Sequence, residues 1–235
     1  MRRLQVVGNF KDESGNTVIA PSGLLNIAVN FTGSNNYLEI AEGCLISNYV
    51  INFHASGSRV IIGDSRKIGR SIHGHVIDMG HDSKVVIGAN VTAPFGVYIS
   101  CAEQTSITIG DDSTFAVGTI IRSDDAHMIF DVLTGYRANP SRDIRIGSHV
   151  WVGERAGILS GAVIGSGCMI GFQSVVKKKF PNNCLIVGSP ARIAKKNIAW
   201  DRAHTMHALN GNLHYTQYPD VRYHQGNWQR TIEDQ

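Results

Sequence analysis

The chain has 235 residues, 43% of them apolar and 17% charged, with a formal net charge of +3. That length can bury a real core, the composition excludes a disordered chain, and the weak charge gives no footing for nucleic-acid binding. Glycine is frequent, 25 residues against 6 prolines, yet it does not fall at every third position as in collagen, so the glycines keep some other period.

Residues 1–21 begin Met1-Arg2-Arg3 but hold no apolar run of signal-peptide length. No stretch of the chain approaches the roughly 18 apolar residues of a membrane span. The segment shows no repeat and is expected to cap the first coil of the repetitive region beginning at residue 22, because an open strand edge invites association. Cys44, Cys101, Cys168 and Cys184 have neither CxxC spacing nor the density of a disulfide framework. That points to a reducing, cytoplasmic compartment.

From residue 22 a motif recurs: two apolar residues one apart, then Gly or Ala. It stands at Leu38-Glu39-Ile40-Ala41, Val60-Ile61-Ile62-Gly63, Val85-Val86-Ile87-Gly88, Ile107-Thr108-Ile109-Gly110 and Ile144-Arg145-Ile146-Gly147. The second apolar positions, continued to Ile164, are separated by 22, 25, 22, 37 and 18 residues. They describe an 18-residue coil carrying insertions of 4, 7, 4, 19 and no residues. Within it an aliphatic returns every six positions at Ile146, Val152, Ile158, Ile164, Ile170 and Val176. Small or β-branched residues follow four places on, at Val150, Ala156, Ala162, Cys168 and Ser174.

A period of six is neither helical nor that of a simple strand. It suits a triangular prism whose faces are short strands, three hexads to the coil, with the aliphatics stacked inside at about 4.8 Å. An α/β sheet would need helical segments of about 10–15 residues between strands, and none is visible. Cys168 falls on an inward position and reads as core.

Two insertions carry chemistry. The 7-residue one contains His73, His75 and His81. Three histidines have the ligand types of a zinc site, but their spacing reads better as acceptor contacts (His73, His75) or surface. The 19-residue one lies within 122–143 and bears His127 among Asp124, Asp125 and the apolar Met128, Ile129, Phe130, Val132 and Leu133. A loop this long in a regular solenoid is usually functional. His127 has the right pKa range for a general base, and Asp125 is a candidate to orient it.

The run from Ile146 to Val176, with Val187-Gly188-Ser189-Pro190-Ala191-Arg192 after it, resembles the hexapeptide-repeat acyltransferases over about residues 25 to 192. Within that family, Ser123-Asp124-Asp125-Ala126-His127 is similar to the S-x-D-x-H element of sugar, polysaccharide and xenobiotic O-acetyltransferases. The resemblance implies an all-β fold, a left-handed parallel β-helix over 22–192 with the active-site loop at 122–143. It implies a homotrimer with active sites between subunits, acetyl-CoA as co-substrate, no metal, and direct transfer to a carbohydrate hydroxyl with His127 as base. A capsular or surface polysaccharide such as polysialic acid is the expected acceptor. Xenobiotic O-acetylation, sugar-nucleotide N-acetylation and a zinc-dependent β-helix lyase are the alternatives.

Other residues take roles on the same basis. Trp151, between inward Val150 and Val152, should point outward and line the cofactor cleft. Asn139 and His149 are expected at the acceptor, His149 also as the reserve base. Gly153, Ala156, Gly171 and Ser174 would wall the pantetheine arm, and Lys177, Lys178, Lys179, Arg192 and Lys195 would meet the phosphates of coenzyme A. The extension 193–235 leaves the repeat. Ile193 to Leu209 is expected to form a short helix, and the aromatic-rich remainder to pack on a coil face or a neighbouring subunit.

Overall fold

A computed structural model describes residues 2–23, 26–44, 46–65, 72–73 and 75–202. Its regular structure is entirely β, and no described helix is long and apolar enough to cross a membrane. The first strands are β1 (Arg2–Gln5), β2 (Phe10–Lys11), β3 (Thr17–Ile19), β4 (Ile27–Phe31), β5 (Tyr37–Ile40), β6 (Ile46–Ser47), β7 (Tyr49–Phe53) and β8 (Arg59–Ile62). Next come β9 (Ile72–His73), β10 (Val76–Met79), β11 (Lys84–Ile87), β12 (Tyr98–Cys101), β13 (Ser106–Ile109), β14 (Thr114–Phe115), β15 (Ile120–Arg122) and β16 (Ile144–Ile146). The last are β17 (Trp151–Val152), β18 (Gly157–Leu159), β19 (Val163–Ile164), β20 (Met169–Ile170), β21 (Val175–Val176), β22 (Lys179–Phe180), β23 (Cys184–Gly188) and β24 (Ala191–Lys196).

These strands form three faces of a prism. The first face runs β1-β4-β7-β10-β12-β15-β18-β21 and the second β2-β3-β5-β8-β11-β13-β16-β19-β22. The third is β14-β17-β20-β23-β24, preceded by the β6-β9 pair. One coil visits the faces in turn, as β15, β16 and β17 do before β18 returns to the first. The chain is a parallel β-solenoid.

Register confirms the 18-residue ruler. Ile40, Ile62, Ile87, Ile109, Ile146 and Ile164 are successive rungs of one ladder, whatever the chain length between them. On the first face Val29, Ile51, Ile77, Ile99, Ile121, Ile158 and Val176 form the equivalent column. All are buried. Each such side chain gains roughly 2–3 kcal/mol from leaving water, before the entropy of ordering it. The small residues four places on, Val150, Ala156, Ala162, Cys168 and Ser174, are wholly buried too, where the prism narrows.

Both ends of the stack reverse direction. β1 runs antiparallel on β4, β2 on β3, and β24 on β23. Thr17–Ile19 already stand in parallel register with β5. At the other end, Ile193 to Lys196 are strand rather than the expected start of a helix: Ile193 pairs with Ile186 and Lys195 with Leu185. A hairpin satisfies the last edge's backbone groups, as a helix starting there would not. Residues 197–202 are not helical either, and 203–235, with the last part of that expected helix, lie outside the described residues.

Candidate active site

The chain leaves β15 at Arg122 and re-enters at Ile144, so the long loop springs from the edge between the first and second faces. Ser123 fixes its root inside the coil, where its Oγ meets the Ala102 N–H at 3.2 Å and the Thr105 hydroxyl at 2.7 Å. Asp124 follows and accepts the Ser100 hydroxyl at 2.6 Å, the Arg122 guanidinium at 3.1 Å and the Ala126 N–H at 2.9 Å. Burial pushes this carboxyl's pKa up, but the three donors outweigh burial and hold it below the ordinary aspartate value. The bond to Ala126 helps hold a non-glycine residue at φ 61°. The His127 N–H then closes a tight turn onto the Asp125 carbonyl at 2.7 Å. His127 therefore projects from a bent, pinned backbone. Its side chain is exposed and makes no hydrogen bond among the described residues.

Asn139 has a different role from the one expected. Its Nδ2 donates to the His127 carbonyl at 2.8 Å and to Asp125 Oδ2 at 3.1 Å, while its Oδ1 accepts the Ile129 N–H at 2.7 Å. Both ends of the amide are spent strapping the loop, so Asn139 shapes the site instead of offering the amide to an acceptor. Asp125 likewise bonds Asn139 and does not touch the imidazole it was expected to orient. No local pattern pointed to Arg137, whose guanidinium grips Glu103 of the coil below at 2.7 and 2.9 Å. The tip beyond is a small apolar finger, with Val132 95% and Leu133 92% exposed.

Trp151 points outward from the third face, as its place between buried Val150 and Val152 demands. It does not stand alone. Trp200, buried, packs against it with ring centroids 6.0 Å apart. Trp200 is held in turn by Arg202, which bonds Asp112 Oδ1 at 2.8 Å, the Thr92 hydroxyl at 2.9 Å, and the carbonyls of Asn90 and Ser113. The aromatic-rich remainder, for which packing on a coil face was expected, lies outside the described residues; the start of the tail does pack on such a face at this point. His149 lies beneath it at φ 54°, with Nδ1 2.6 Å from Asp112 Oδ2 and Nε2 3.0 Å from the Trp200 carbonyl. Both ring nitrogens are taken, and the ring is covered. His149 is therefore an anchor for the tail, neither a reserve base nor an acceptor contact. Burial raises the Asp112 carboxyl's pKa, yet His149 and Arg202 outweigh it and hold the group below its usual value.

One other expectation is corrected. His75 is 2% exposed and sits in the core, with Nδ1 taking the Val97 N–H at 3.0 Å and Nε2 3.0 Å from the Ala93 carbonyl. It satisfies a corner and meets no acceptor. His73 belongs to β9, and its side chain is outside the described residues. Ala156 and Ser174 face the interior, where the Ser174 hydroxyl accepts the Gly188 N–H at 3.0 Å. A Cβ on Gly153 would meet the Ile170 carbonyl at 2.7 Å, and one on Gly171 the Val187 side chain at 2.7 Å. These four residues let successive coils approach; the wall expected of them for the pantetheine arm was backbone, which side chains that are absent or turned inward do not overturn. Lys177, Lys178, Lys179, Arg192 and Lys195 are all exposed on the last coil. Among the described residues no three His, Cys, Asp or Glu side chains gather as a metal site. Burial raises the Cys168 thiol to about 12, which suits a core residue and not a nucleophile.

His127 and Trp151 do not meet within one chain. The loop leaves the edge between the first and second faces, whereas Trp151 stands on the third, across the prism from that edge.

The pattern described as bacterial transferase hexapeptide (six repeats) matches residues 143–178. Over 190 residues the chain is 35% identical to the polysialic acid O-acetyltransferase of Neisseria meningitidis, covering 80% of this chain and 86% of that one. It is 33% identical over 136 residues to the polysialic acid O-acetyltransferase of Escherichia coli O1:K1 / APEC, a match that takes in 58% of this chain but only 44% of that relative's length. The crystal structure of the polySia-specific acetyltransferase NeuO superposes with a TM-score of 0.71 at 34% identity, covering 80% of this chain and 85% of that one. That of the polysialic acid O-acetyltransferase OatWY gives 0.68 at 29% identity, covering 86% and 92%.

Proposed function

This chain belongs to the hexapeptide-repeat acyltransferase family, and from that premise we propose that it moves the acetyl group of acetyl-CoA to a hydroxyl of polysialic acid or a closely related surface polysaccharide. The observation that carries the reading is the pairing of 35% identity to a polysialic acid O-acetyltransferase with a loop that presents an unencumbered His127.

The chemistry needs little more. The His127 imidazole takes the proton of the acceptor hydroxyl as that oxygen attacks the thioester carbonyl. The tetrahedral intermediate collapses with cleavage of the carbon–sulfur bond, and the proton passes from the imidazolium to the departing thiolate. The products are the acetyl ester and free coenzyme A. No covalent intermediate on the enzyme is required, in keeping with buried, high-pKa cysteines.

The site is completed by a second copy. Since the loop and Trp151 lie across the prism from each other, a cyclic trimer would lay the loop edge of one subunit on the third face of the next, three times over. The exposed apolar finger at Val132 and Leu133 then finds cover, and His127 comes beside Trp151 of a neighbouring copy. The same apposition brings Lys177, Lys178 and Lys179, on the loop's edge, toward Arg192 and Lys195 of the neighbour's third face. Five cations are a fitting charge for the pyrophosphate and 3′-phosphate of coenzyme A.

The test is thiol release from acetyl-CoA with polysialic acid as acceptor. His127→Ala should lower kcat by about 10²–10⁴-fold. Unchanged turnover in that variant, or no acceptor-dependent release by the unaltered protein, removes the reading.

A further inference from the structure

We propose that Glu103 is a positioning residue for the catalytic loop, fixing through Arg137 and Asn139 the backbone from which His127 projects. The proposal rests on the reading of His127 as the base, and its geometry stands independently of that reading.

Glu103 belongs to the coil beneath the loop, at the corner between β12 and β13. That corner is rigid. Glu103 and Gln104 have φ of 59° and 62°, the Gln104 N–H is bonded to the His81 carbonyl of the previous coil at 3.1 Å, and the Thr105 hydroxyl closes onto the Ala102 carbonyl at 2.7 Å. From this footing the carboxylate reaches up to the loop. Oε1 meets Arg137 Nη1 at 2.7 Å, and Oε2 meets Arg137 Nη2 at 2.9 Å. Oε2 also accepts the Ser141 hydroxyl at 2.6 Å and its N–H at 3.2 Å. A two-pronged carboxylate–guanidinium pair fixes direction as well as distance.

Arg137 passes the constraint on. Its Nη2 donates to the Asn139 carbonyl at 3.1 Å, and Asn139 holds the His127 carbonyl at 2.8 Å and the Ile129 N–H at 2.7 Å. Among the described residues the loop beyond this point bonds only to itself, through the Phe130–Arg137 bridge and the Asp131–Tyr136 turn. The finger therefore has a base but no side support among the described residues, and Glu103 supplies four of the bonds at that base. Hydrogen bonds from Arg137 and Ser141 bring the Glu103 carboxyl down to about 2, so the grip is fully charged throughout the neutral range.

Glu103 touches no reacting atom, so its loss should misplace His127 without disturbing cofactor binding. Misplacement by about 1 Å costs on the order of 10² in rate. Glu103→Ala and the milder Glu103→Gln should therefore lower kcat with acetyl-CoA and polysialic acid, by roughly 100-fold and 10-fold. KM for acetyl-CoA and the melting temperature should stay at their original values. The double exchange Glu103→Arg with Arg137→Glu should recover part of the lost kcat.

Hydrogen exchange of the backbone amides across 127–139 reads the clamp without turnover, and in Glu103→Ala it should speed up at Ile129 and Ala138. If the unaltered protein shows no acetyl transfer, the proposed function fails and the clamp is judged by exchange alone. Unchanged exchange in Glu103→Ala, or unchanged kcat in an active enzyme, overturns the clamp.

Discussion

The indole of Trp200 lies flat on the imidazole of His149, ring centroids 4.2 Å apart and planes 10° from parallel, and its N–H donates to the His149 carbonyl at 2.8 Å. A residue of the tail beyond the last strand and a corner residue two places before Trp151 are thus one packed unit, 51 positions apart in sequence. Emptying that stack should be costly. Trp200→Ala should destabilise the protein by about 3 kcal/mol, the usual loss for a buried large aromatic. Trp200→Phe keeps the stack and gives up one hydrogen bond, worth about 1 kcal/mol. Denaturant midpoints measure both, and equal midpoints for the two variants would show that the stack contributes nothing.

Asn139 separates two roles by kinetics. As a strap it should affect kcat. Asn139→Asp sets an oxygen against the His127 carbonyl and the Asp125 carboxylate, and should lower kcat by about 10–100-fold. A rise in KM for polysialic acid with kcat unchanged would return Asn139 to the acceptor.

Acid should release the loop before it unfolds the coil. The Glu103 carboxyl has a folded pKa of about 2 against an ordinary 4.5. A depressed folded pKa contributes stability that is complete above the unfolded value and is lost as pH falls toward the folded one. The loop should therefore hold from neutrality to about pH 5 and loosen between about 4.5 and 2. A fluorophore at Val132→Cys reports this as falling anisotropy. A fall already complete at pH 5 contradicts the assignment.

The finger tip should be an assembly determinant. Leu133 is 92% exposed, so Leu133→Asp should leave the circular dichroism spectrum intact. It should also shift sedimentation from the proposed trimer toward monomer and remove activity with it. A trimer of full activity would place the subunit contact elsewhere.

The coil was legible from the chain because its repeat is a packing rule. An aliphatic residue every six positions is what a stacked interior requires, so the rungs Ile40 to Ile164 could be counted before they were seen. Trp151 pointing outward followed from the same alternation. Glu103, Arg137, Trp200 and Arg202 were not legible, because each acts through a contact between segments that no local pattern announces. Arg202 and Asn90 are 112 positions apart. His75 and His149 misled for a related reason. Histidine suits a site, but it also suits a buried corner, where two ring nitrogens can satisfy two backbone groups, and spacing alone does not separate these uses. Residues 193–196 misled because a segment that leaves the repeat can still complete a sheet.

Ile109 and Ile146 are neighbours on one ladder although 37 residues separate them, while Ile146 and Ile164 are equally close neighbours at 18. The entropy of closing a loop grows only with the logarithm of its length, so that doubling costs about 0.6 kcal/mol. The rungs on either side keep the same register in both cases. The corners of this solenoid are accordingly places where sequence can be added almost without thermodynamic consequence. The interior specifies a scaffold, and each corner is a vacancy in which a different loop could be lodged. A lineage of such proteins could change acceptors by exchanging one corner segment while every buried isoleucine stayed where it was.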